Sequence, residues 1–159
     1  MREKNDSTNM NRYRLMWNET VYEPGEVKAV AYNADGSVAG EAVVRTAGKP
    51  YAVKLTSNRQ TLQANGEDLA YVTVQVVDKD GNVVPDAEPE VSFKVTGDGS
   101  FRATANGDPT SLRDFNKPVM DLFSGAATVI VRGGDRPGSL TLEVKSKGLR
   151  PAKLIIPVE

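Results

Sequence analysis

Neither cysteine nor histidine occurs among the 159 residues. Disulfides, thiolate nucleophiles, the usual base at neutral pH and the favoured ligands of zinc and copper are therefore all missing. No apolar run approaches the roughly 20 residues that a membrane-crossing helix needs, and the opening MREKNDSTNM lacks the apolar stretch of a signal peptide. Twenty basic residues stand against 21 acidic ones, without a basic block to displace counterions from a phosphate backbone, so neither nucleic acid nor membrane is an expected partner. The phosphate-cradling patterns GxGxxG and GxxxxGK[ST] do not occur. Serines such as Ser111 and Ser124 have no base beside them and read as loop or cap residues.

What is present points to a folded all-β chain. Apolar residues make up 39% and charged residues 26%, too apolar for a disordered segment. Nowhere do apolar positions recur at i, i+3, i+4 and i+7 over the length of a helix. Instead they alternate, which sends one side-chain set into a core and the other into solvent. Val72, Val74 and Val76 oppose Tyr71, Thr73 and Gln75. Leu140, Leu142 and Val144 oppose Thr141, Glu143 and Lys145. Val91, Phe93 and Val95 form a third set, and Leu154, Ile156 and Val158 a fourth. Between these runs lie Pro24-Gly25, Asp35-Gly36, Asn65-Gly66, Asp80-Gly81-Asn82, Gly97-Asp98-Gly99 and Gly133-Gly134-Asp135, residues that supply the dihedral angles tight turns require.

A boundary is expected at Ala47-Gly48-Lys49-Pro50, where the residue before proline is driven to extended geometry. Residues 1–12 then form a flexible lead. Residues 13–48 offer about three strands, at Arg14 to Trp17, Glu26 to Asn33 and Val38 to Thr46. Residues 49–159 hold enough strands for a seven-stranded sandwich. Three strands cannot close a sandwich, so the first part reads as the end of a β-sandwich domain whose other strands lie upstream. The fold class is an immunoglobulin-like β-sandwich preceded by part of a second one. An unpaired edge in residues 13–48 invites self-association.

Candidate chemistry is sparse. Asp78, Asp80, Asn82 and Asp86 have the oxygen spacing that opens a calcium loop, but Gly81 stands fourth rather than sixth and Pro89 replaces the closing glutamate. A turn joining two strands explains these residues, with calcium as the alternative. Glu67 with Asp68 and Glu88 with Glu90 lie in polar, turn-rich stretches and read as solvated surface, not as an acid–base pair. No catalytic residue, metal ligand or cofactor site is assigned. Tyr13, Trp17 and Tyr22 could form an aromatic platform for a sugar ring; the competing reading places Trp17 in a core or an inter-domain seam.

The stretch TVYEPGEVKAVAYNADGSVAGEAVVRTAGKP resembles the end of the non-catalytic domain that follows the barrel in bacterial β-galactosidases of glycoside hydrolase family 2. Val27 stands where that pattern has leucine. VKLTSNRQTLQANGEDLAYVTVQVVDKDGNVVPDAEPEVSFKVTGDGSF is similar to the immunoglobulin-like domain that comes next, and the likeness continues through ANGDPTSLRDF and FSGAATVIVR, with Ala105 in place of a glycine. The resemblance implies a parent enzyme that cleaves terminal β-galactosides or related β-glycosides with two glutamates on a (β/α)₈ barrel. None of that barrel is in this chain, so no catalytic position carries over. It also implies a periplasmic or extracellular setting, and an accessory role packed against the catalytic and other domains of that enzyme. The loop Asn106, Gly107, Asp108 and Pro109 is a candidate inter-domain contact. A glycan-binding module and an adhesin-type immunoglobulin-like repeat remain the alternatives; an adhesin repeat recurs in tandem, and only one full copy is seen here.

Overall fold

Strand periodicity of two leaves each sheet with one apolar face, and two such faces close on one another in the larger part of this protein. A computed structural model describes residues 12–159. It divides into two units, Met1–Arg45 and Thr46–Glu159. The expected lead over residues 1–12 falls, apart from Arg12, outside the described residues.

In the first unit, β1 (Glu26–Tyr32) and β2 (Val38–Arg45) form an antiparallel hairpin. Its turn is closed by Asn33 and Ser37, with the Ser37 amide and hydroxyl both donating to the Asp35 carboxylate. The strand expected at Arg14 to Trp17 is not formed; those residues have no regular structure. A strand needs a neighbour to take up its backbone groups, and among the described residues β1 and β2 pair only with each other.

The second unit is a sandwich of eight strands rather than seven. One sheet has the order β3 (Ala52–Ser57), β4 (Leu69–Val77), β8 (Ala126–Gly133), β6 (Gly99–Ala105). The other runs β10 (Ala152–Val158), β9 (Gly138–Ser146), β5 (Glu90–Gly97), β7 (Val119–Asp121). The additional strand is β7, too short for alternation to reveal it. All strand pairings are antiparallel.

The alternating sets fill the space between the sheets. Val72, Val74, Val76, Val129 and Val131 from one sheet meet Val91, Leu140, Leu142 and Val144 from the other, all fully buried. Each such side chain contributes about 1.5–3 kcal/mol on removal from water. Phe93 and Phe101 stack across the two sheets with ring centroids 6.3 Å apart. Tyr71, on the opposite face of β4 from Val72, is 46% exposed. Strand β10 is an edge strand, where Pro157 is tolerated because its missing N–H faces no ladder partner. That edge is partly occupied: Leu62 donates to the Pro157 carbonyl, and Glu159 donates to the Leu62 carbonyl.

Candidate functional site

A polar cluster of the sandwich sits where residues 106–118 leave β6 and return as β7. Register places Glu90 of β5 opposite Asp121 of β7. Two like charges directly opposite on a ladder repel, and Arg113 resolves the conflict. Its Nε donates to Asp121 Oδ2 at 2.6 Å, and its Nη2 donates to Asp121 Oδ1 at 2.9 Å and to Glu90 Oε2 at 3.0 Å. Bonding to Asp121 and then to Glu90 raises the guanidinium pKa further. Guanidinium geometry suits this fork; an ammonium group would satisfy only part of it.

The rest of the loop is held the same way. Asn106 Nδ2 donates to the Asp121 carbonyl at 3.0 Å, and its Oδ1 accepts the Asp108 amide. Asp108 accepts the hydroxyl and amide of Thr110 at 2.7 and 2.8 Å, which pull its carboxyl below the ordinary range. The Phe115 carbonyl accepts from Thr104 on β6, and the Asp114 side chain accepts the Asn116 amide. The sequence-expected residues Asn106, Asp108 and their neighbours thus form a built loop. Arg113 was not found from sequence, because its partners Glu90 and Asp121 become neighbours only when β5 and β7 pair. At the tip Leu112 is 100% exposed, and Phe115 is half exposed.

A shallow cleft adjoins this cluster, lined by Pro89, Glu90, Ser92, Lys145, Ser146 and Lys147. Glu90 is engaged by Arg113, so the cleft does not hold two free carboxylates facing one another. Elsewhere, Asp68 accepts the amides of Gln63 and Leu69 and lies 3.6 Å from Arg59; the Gln63 bond is the main cause of its lowered pKa.

At the Asp78 loop both carboxylate oxygens are taken. They accept the amides of Gly48, Asp80 and Asn82 and the Asn82 side chain, all within 3.0 Å. These donors, the Gly48 amide first, hold Asp78 at a pKa of about 2. A carboxylate filled by N–H donors ties a turn together. Tyr13, Trp17 and Tyr22 are all exposed, at 72%, 56% and 73%, ahead of β1. Trp17 is not enclosed in a core.

Residues 53–155 match the family described as glycoside hydrolase family 2 C-terminal domain 5. Residues 2–40 match a domain of unknown function. The chain is 41% identical over 138 residues to a β-galactosidase, BoGH2A, of Bacteroides ovatus, covering 87% of this chain and 16% of that enzyme. It is 30% identical over 149 residues to a β-glucuronidase of Formosa agariphila, covering 92% of this chain and 15% of that one. A glycosyl hydrolase family 2 member from Bacteroides cellulosilyticus superposes with a TM-score of 0.81 at 31% identity, over 88% of this chain and 18% of that structure. The chain thus spans about a sixth of the length of these curated relatives. With its sandwich matched almost end to end, the chain belongs to the glycoside hydrolase family 2 C-terminal domain 5 family.

Proposed function

We propose that this chain is a non-catalytic accessory module of a retaining β-glycosidase, joined to a catalytic barrel in the same polypeptide. One observation carries the reading: a family 2 C-terminal domain occupies residues 53–155, and relatives alike over most of this chain extend far beyond it. The chemistry agrees. Asp121 and Glu90 are both engaged by one arginine, Asp68 and Asp78 are spent on backbone amides, and histidine and cysteine do not occur. Its partners are the catalytic and other domains of that enzyme, in a periplasmic or extracellular setting.

Assaying the 159-residue chain on nitrophenyl β-galactoside and β-glucuronide should give no turnover above buffer. The full polypeptide encoded by the gene should hydrolyse one of them. Turnover by the 159-residue chain that survives repurification, or a gene product without β-glycosidase activity, would end the proposal. Tandem sandwiches and a surface anchor in that gene product would favour the adhesin instead.

A second reading rests on the exposure of Tyr13, Trp17 and Tyr22, three rings able to stack on sugar faces. If they bind glycan, titration with galactosides should give a saturable change in the fluorescence of the single tryptophan. A flat response over the titration removes this reading.

A further inference from the structure

An isolated exposed leucine is ordinary on a protein surface. Leu112 is not isolated in that sense: it is held out by a loop whose other side chains are largely committed to one another. Residues 106–118 are the longest connection between consecutive strands of the sandwich, and connections of this length without regular structure are usually either functional or disordered; this one is tied down by its own bonds. Asn106, Asp108, Arg113 and Asp114 each bond within the loop or to the strands beside it. Arg113, the residue next to Leu112, is fixed by three charge-assisted bonds to Asp121 and Glu90.

Such a surface is prepared for dry burial. Arg113 beside the leucine is already paired with Asp121 and Glu90, so covering the leucine strands no cation. The turn bonds of Asp108 and Asp114 order the backbone before any partner arrives, which lowers the entropy cost of association. A sugar site has the opposite requirement, free donors and acceptors for hydroxyl groups. The cleft beside Glu90 in a second copy of this chain is lined with lysine, serine and glutamate and does not suit a leucine side chain. The relatives supply the remaining candidate surface: about five-sixths of their length lies outside the region matched here.

From this we infer that the loop of residues 106–118 docks against another domain of the same polypeptide, with Leu112 as the anchor entering an apolar pocket there and Arg113 as the residue that positions it. The inference rests on the reading of this chain as one module of a longer enzyme.

The test uses the lack of native cysteine in this region. Leu112→Cys is made in the 159-residue chain and in the full polypeptide, with Lys54→Cys on the exposed side of β3 as reference in each. Maleimide labelling at residues 112 and 54 is followed by peptide mass. In the 159-residue chain the two positions should label at similar rates. In the full polypeptide labelling at 112 should slow by about tenfold or more while labelling at 54 is unchanged, as enclosure of an interface anchor requires. Equal rates at 112 in both proteins overturn the docking. So does protection in the 159-residue chain that grows with its concentration, which would assign the surface to a second copy. Glycosidase activity of the unsubstituted full polypeptide is read separately, so loss of the accessory-module reading and loss of the docking site give different results.

Discussion

Asp78 Oδ2 accepts the backbone amide of Gly48 at 2.7 Å, a contact between residues 30 positions apart that fastens the start of the second unit to the turn after β4. The same carboxylate collects three more donors from Asp80 and Asn82. The folded pKa lies at about 2, whereas a free aspartate titrates near 3.9. Between those values the unfolded chain binds more protons than the folded one, so stability rises with pH. The clasp is fully effective above about pH 4 and is lost as pH falls through about 2. Urea midpoints measured across this range should fall towards acid, and Asp78→Asn should show a lower midpoint at pH 7 with a shallower acid dependence. If wild type and Asp78→Asn lose stability in parallel from pH 4 to pH 2, the clasp does not contribute as described.

Ser124 and Gly125 form a two-residue hairpin before β8, closed by reciprocal bonds between Phe123 and Ala126. Both central residues have positive φ, 51° and 75°, the signature of a turn whose twist suits antiparallel strands. At Gly125 a Cβ would also stand 2.3 Å from the Val84 carbonyl oxygen. Gly81, in the turn after Asp78, has φ of 85° but open space around it. Gly81→Ala should therefore cost about 1 kcal/mol from conformation alone. Gly125→Ala adds a backbone collision, and its loss should reach about 3 kcal/mol or more. Chemical denaturation of the pair should rank them in that order; the reverse order would mean that the Val84 segment yields freely.

Strand alternation made the core legible in advance. Val72, Val74, Val76, Leu140, Leu142 and Val144 are buried as their spacing requires, and Tyr71 is on the outer face. Legibility ended where an element is short or where its partner is distant in sequence. Strand β7 spans only Val119–Asp121, less than two periods of alternation. The Glu90–Arg113–Asp121 cluster depends on a sheet pairing that no local pattern announces. Arg14 to Trp17 failed as a strand for a related reason: an apolar stretch has β character only when a neighbour pairs with it, and none of the described strands does.

Leu142 and Thr141 test the two faces of β9 at adjacent positions. Leu142 is fully buried between the sheets, while Thr141 is partly exposed on the other side. Leu142→Ala should cost about 2–5 kcal/mol, combining lost transfer energy with a residual cavity. A domain of this size holds about 5–15 kcal/mol in total, so the variant should unfold at markedly lower urea. Thr141→Ala should change stability by less than about 1 kcal/mol. Similar losses for both would contradict the placement of the core.

The hairpin of the first unit separates its chemistry by face. Opposed residues share a face, so Val27 with Val44, Ala29 with Ala42 and Ala31 with Gly40 make one side, while Glu26 with Arg45 and Lys28 with Val43 begin the other. The second side carries two ion pairs, Arg45–Glu26 at 2.7 Å and Lys28–Glu41 at 2.8 Å. They are exposed, and such pairs contribute about 0–1 kcal/mol. The first side leaves Val27 and Val44 at 64% and 72% exposure, and a two-stranded sheet has little stability of its own. We expect copies of the chain to associate through this face and through the open strand edges. Light scattering should show mass rising above 17.1 kDa with concentration. Replacing Val27 and Val44 together by lysine should restore a monomer by placing like charges across the face. A wild-type chain that stays monomeric at millimolar concentration would exclude this association, and association unaffected by the double substitution would assign it to a different surface.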